Sequence, residues 1–137
     1  MSAHLDLKAQ EFYATLINLD AIKAFVRNQL GCQCKEKVFE QIVIGVPSIF
    51  PEANPGWDLQ MLIGFRLLVS LVSVQKVSAL NDDITNLLQA GKELRDKHGL
   101  NRFRLVLLGL LEPKLRESFQ KKTQQFDDRI HLHTLEI

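Results

Sequence analysis

The sequence predicts an α/β domain with a mixed, mostly parallel sheet of about four strands, crossover helices and an N-terminal helical segment. Three observations predict it. Apolar residues recur at helical spacing over residues 1–30, short β-branched or alternating runs occur at four places, and strands alternate with helices from Leu62 onward. Strand, helix, strand, helix, strand implies parallel neighbours joined by right-handed crossovers.

Leu5, Ala9, Phe12 and Leu16 stand at offsets of 4, 7 and 11 and share one helix face. Asp20 is expected to act as an N-cap, Ile22, Phe25, Val26 and Leu30 form a second stripe, and Gly31 supplies the left-handed residue that closes a helix. Residues 4–30 therefore read as one bent helix or two helices hinged near Asn18. Lys35 to Phe39 has room for one or two helical turns, and Ile42, Val43 and Ile44 form a short strand ending at Gly45. Pro47, Pro51 and Pro55 fall within residues 46–60, with Asn54 and Gly56 beside the last, so this stretch is a long proline-rich loop. Trp57 within it is expected to pack on the core.

Leu62 to Val74 reads as one long strand. Ile84, Leu87, Leu88, Gly91 and Leu94 mark a helix that ends at Gly99, Phe103 to Leu108 is a strand, Pro113 opens a helix carrying Leu115 and Phe119, and Ile130 to Leu135 is the last strand. Crossovers stepping in one direction place both helices on one sheet face and leave the other for the N-terminal segment. Residues 1–137 are read as a single domain.

With 46% apolar and 24% charged residues and a formal charge of +1, the composition is that of an ordinary globular chain. Bulk charge therefore indicates neither nucleic acid nor an anionic membrane as a partner. Met1 to Leu7 has no cationic region leading into an apolar stretch, and Leu67 to Val74 falls far short of the ~20 residues that span a bilayer. A cytoplasmic location is expected, and two cysteines one residue apart fit a reducing compartment.

Three constellations carry chemistry. Cys32 and Cys34 follow Gly31 and precede Lys35, Glu36 and Lys37, where backbone amides and lysines favour the thiolate. They suit redox work or a soft metal, and also the plain role of small apolar residues in a turn. His131 and His133, two apart on a strand, point to one face and with the cysteines would complete a zinc-type Cys₂His₂ set. Third, Phe65, Leu67, Val69, Leu71, Phe103, Leu105, Leu107, Ile130 and Leu132 make one apolar sheet face, whereas the other carries Arg66, Ser70, Arg102, Arg104, Arg129, His131 and His133. Guanidinium groups there require a partner: a bound anion, an acid such as Glu11 or Asp6, or a subunit interface. Arg104, inside its strand, is expected to have a more fixed partner than Arg102 at the strand's start.

No dinucleotide, P-loop, hydrolase-elbow or zincin motif occurs, and Asp82-Asp83 and Asp127-Asp128 read as capping and turn residues, so no catalytic centre is evident. The alternation of the second half resembles thioredoxin-like and flavodoxin-like domains at the level of fold class. Thioredoxin-like proteins place C-x-x-C after a strand, whereas C-x-C here follows a helix, and their activity does not carry over. The expected function is association, as a homodimer or with another protein. A thiol-redox or metal protein using Cys32 and Cys34, and a small-anion binder or enzyme on the sheet face of Arg66, Arg102, Arg104, His131 and His133, are the alternatives.

Overall fold

A computed structural model describes residues 7–16, 18–50, 55–79 and 84–137. Leu5, Asp6, Pro51, Asn54 and the Asp82-Asp83 pair lie outside the described residues. The N-terminal segment is two helices, α1 (Leu7–Thr15) and α2 (Leu19–Ala24), and α2 widens into a π-helical turn over Phe25–Gln29. Asn18 caps α2 in place of Asp20, because its Oδ1 accepts from the amides of Asp20 at 2.7 Å and Ala21 at 3.4 Å. Gly31 has the expected left-handed φ of 68°. A 3₁₀ turn at Glu36–Glu40 then leads into β1 (Ile42–Gly45).

The expected long strand is a hairpin of β2 (Leu59–Ile63) and β3 (Leu67–Ser73), so the proline-rich loop ends before Leu59. Gly64 and Phe65 take left-handed φ values of 62° and 54°, and the Arg66 amide donates to the Ile63 carbonyl at 3.2 Å. The turn was hidden because Phe65 and Arg66 fit the alternation of a single strand, so that only Gly64 marks the break. After β3 come α3 (Val74–Ala79), α4 (Thr85–Lys97), β4 (Arg102–Leu108), α5 (Pro113–Phe126) and β5 (Ile130–Leu135).

The sheet has five strands in sequential order, with β1/β2 and β2/β3 antiparallel and β3/β4 and β4/β5 parallel. The expectation of about four mostly parallel strands is corrected accordingly, because the hairpin contributes both an extra strand and an antiparallel pair. The hairpin also shifts the phase of β3. Leu67 pairs with Arg102 and Val69 with Arg104, so Leu67, Val69 and Leu71 share the face of the arginines, and Leu68, Ser70 and Val72 share that of Phe103 and Leu105. A one-residue change of phase exchanges the faces of a whole strand. Ser70 therefore leaves the Arg/His face and accepts from Gln60 Nε2 at 2.9 Å on the opposite one.

The face bearing Leu68, Phe103 and Leu105 packs against α4 and α5, as expected for two crossovers stepping the same way. Trp57 is buried here beside Phe103, and Gly91 lets α4 approach so closely that a Cβ would lie 2.0 Å from the Phe103 ring. The other face is covered by α1, α2 and the π-helical turn through Ala9, Tyr13, Phe25 and Val26, which meet Met61, Ile63, Val69 and Val106. Each large apolar side chain fully buried in these layers contributes about 1.5–3 kcal/mol. No helix among the described residues is long and apolar enough to cross a membrane.

Candidate functional site

The helical cover on the second face ends at Leu30, and there the sheet opens into a cleft of about 550 Å³. Three elements build it. The Gly31–Lys35 loop supplies one wall with Cys32 and Cys34, the β2–β3 turn supplies Arg66, and the start of β4 supplies Asn101, Arg102 and Arg104. Val38, Ile63 and Leu67 form its apolar floor. The cysteines and arginines, read from the sequence as separate constellations, thus meet at one place.

The loop is braced from both sides. The Cys32 amide donates to the Val26 carbonyl at 3.1 Å, and Arg27 Nη2 donates to the Cys34 carbonyl at 3.2 Å. Arg27 also lies over the Phe39 ring and pairs with Glu36 at 3.0 Å, and Lys23 binds the same carboxylate. These two cations hold the Glu36 carboxyl below its usual pKa range. Cys32 and Cys34 are disulfide-bonded to each other, with their Cα atoms 5.3 Å apart. Neither is a free thiol or a free metal ligand in this state, and among the described residues no group of three or more His, Cys, Asp or Glu side chains is arranged to hold a metal ion. The Cys₂His₂ set expected from the sequence is not assembled.

The histidines instead orient the arginines. Arg104 Nη1 donates to the Leu30 carbonyl at 3.0 Å and to His133 Nε2 at 2.9 Å, and Arg102 Nη1 donates to His131 Nε2 at 3.3 Å. Guanidinium has no acceptor, so each imidazole must present a lone pair. Burial first, then the charges of Arg104 and His131, push the His133 pKa down to about 4, which keeps that lone pair available. Burial likewise lowers His131, with help from Arg104 and Arg102. The fixed partner expected for Arg104 is therefore a carbonyl and a neutral imidazole in place of an acid. Its Nε is buried without a partner, and burial followed by the charge of Arg102 lowers its pKa.

Lys35, Arg66, Arg102 and Arg104 all face the cleft, and among the described residues no acid lines it. Among the described residues no carboxylate pairs with Arg66, Arg102 or Arg104, Glu11 included.

Two polar clusters escaped the sequence reading. Asp58, at the foot of β2, accepts from Tyr13 Oη at 2.7 Å and from the Ser73 amide at 2.9 Å, and also binds Lys76. Arg95, only 1% exposed on α4, pairs with Asp96 at 2.9 Å and with Asp127 at 2.8 Å. Both join residues far apart in the chain, where no local spacing betrays them. No family model, no curated protein and no solved structure matches the chain.

Proposed function

We propose that the cleft binds a small polyanionic ligand bearing carboxylate or phosphate groups. The observation that carries this reading is the convergence of four cationic side chains on one concave surface that, among the described residues, no carboxylate lines. Scattered exposed arginines are ordinary solvated residues, but like charges gathered in a cleft repel one another unless a counter-charge enters. Arg102, steadied by His131, and Arg66 present planar guanidinium forks suited to such groups, while Arg104, its Nη1 engaged by Leu30 and His133, adds its charge to the same cleft. Calorimetric titration with citrate and with pyrophosphate tests this. Saturable binding is expected, weakening with salt and falling at least about tenfold in R66Q/R102Q, since each charge-assisted contact is worth roughly 1.5–3 kcal/mol. Equal heats for parent and variant would refute the reading.

A second reading, self-association as a homodimer, is favoured by the outer edge of the sheet. Among the described residues β1 pairs with β2 alone, and Val43, Ile44 and Val46 on or beside it are 38%, 40% and 73% exposed. An apolar edge strand is a template for pairing with a second copy. Light scattering at micromolar concentration is expected to give twice the chain mass of 15.7 kDa, reverting to that mass in I44K. A parent protein of 15.7 kDa under those conditions would count against it.

A further inference from the structure

The disulfide sits in the wall of a cationic cleft, and that juxtaposition concerns reactivity as well as binding. We propose that Cys32–Cys34 exchanges with low-molecular-weight thiols that carry carboxylates, the cleft cations selecting them by charge. This inference rests on the anion reading above and adds a substrate class to it.

Cys32 and Cys34 both line the cleft together with Lys35, Arg66, Arg102 and Arg104. A thiol entering it meets the sulfurs and the cations at once. In the reaction a thiolate RS⁻ attacks one sulfur of the bridge, the S–S bond breaks, a mixed disulfide forms, and the displaced cysteine leaves as thiolate and takes a proton from water. A second RS⁻ attacks the small-molecule sulfur of the mixed disulfide, releasing RSSR and the second cysteine thiolate, which is protonated in turn. Two thiols are oxidised and the protein gains two electrons and two protons.

The cations act at two points. They raise the local concentration of an anionic thiol, and they stabilise the negative charge on the departing cysteine sulfur. Neither effect requires a base or a metal. The braces on the loop, from Val26 to the Cys32 amide and from Arg27 to the Cys34 carbonyl, tether the segment beside the cleft through backbone contacts independent of the S–S bond. A location in a reducing compartment would also suit a bridge that turns over, since disulfides there are mostly transient.

The experiment follows reduction of the oxidised full chain by alkylation and intact mass, using glutathione, 2-mercaptoethanol and cysteamine as anionic, neutral and cationic probes. Rates are divided by the thiolate concentration and corrected for the known dependence on thiol pKa. The expected order is glutathione, then 2-mercaptoethanol, then cysteamine, with at least about tenfold between first and last at low salt. The spread should contract in 0.5 M NaCl and in R66Q/R102Q, and citrate should slow glutathione selectively. Corrected rates that are the same for all three thiols, or a bridge that none of them reduces, would overturn the proposal. If citrate still binds by calorimetry in that event, the anion reading stands and only the exchange is lost. If citrate does not bind and charge has no effect, both fall.

Discussion

At the scale of single residues, Arg104 and Arg102 differ in what they hold. Arg104 satisfies the Leu30 carbonyl and His133 at the end of the helical cover, whereas Arg102 is exposed and, among the described residues, its guanidinium hydrogen-bonds only His131. Removing Arg104 strands a buried carbonyl, a loss of about 1–3 kcal/mol, whereas Arg102→Ala should stay within about 0.5 kcal/mol. Urea unfolding of R104A and R102A measures both, and equal stabilities would show that the Leu30 contact contributes nothing. The penalty lies below that of breaking a buried ion pair because no acid is left behind. Tyr13→Phe tests the other cluster, since it deprives the Asp58 carboxylate of one donor while Lys76 and the Ser73 amide remain. A loss of about 1 kcal/mol is expected from the same urea series.

At the scale of elements, the β2–β3 hairpin decides how the sheet is wired, and its turn is strained. Phe65 is an aromatic residue with φ of 54° and is 53% exposed. Holding a bulky side chain in that region costs about 1–2 kcal/mol, while asparagine tolerates it. Phe65→Asn should therefore raise stability by roughly 1 kcal/mol in thermal unfolding, and a lower melting temperature would mean the ring does hidden packing. Gly91 is the opposite case. Alanine favours a helix by about 1 kcal/mol, but its Cβ would strike the Phe103 ring, so Gly91→Ala should lose about 1–3 kcal/mol through overpacking. These elements also show what the sequence discloses. The helices α4 and α5, the strands at Ile42, Phe103 and Ile130, and the placement of the Cys32–Cys34 loop after a helix were legible, because period and glycine punctuation are local signals, whereas the short α3 carries too few residues to show a period. The hairpin was not, because Phe65 and Arg66 continue a strand-like alternation across Gly64, and the resulting phase error propagated to the assignment of Ser70. That Arg66 and the cysteines share a cleft depends on strand register and on the turn of β2–β3, neither of which is written in spacing.

At the scale of the molecule, the two covered faces of the sheet each contain a group whose ionisation is tied to folding, and together they set the response to acid. On the N-terminal side, His133 has a folded pKa of about 4 against an ordinary 6.5. On the α4–α5 side, Asp127 has a folded pKa of about 2 against 3.8, held down first by its bond to Arg95 and then by the Arg129 amide. Both shifts are downward, so in both cases the unfolded chain binds more protons than the folded one within the interval, and stability falls as pH falls. The intervals differ. The His133 contribution is complete above pH 6.5 and is lost as pH drops towards about 4, with His131 acting in the same direction, and the Asp127 contribution is lost between 3.8 and about 2. A full proton of difference is worth about 1.4 kcal/mol per pH unit, an upper bound for a ring that is partly exposed. Urea midpoints measured from pH 8 to 3 should be level above 7 and decline below 6.5, before the carboxylates begin to titrate. In H131Q/H133Q the midpoint should stay level to about pH 5, since glutamine keeps a carbonyl acceptor for the arginines and binds no proton. A parent protein equally stable at pH 7 and pH 5 would show that the His133 ring is solvated, and the Arg104–His133 contact would no longer count as what holds Arg104 in place beside the cleft.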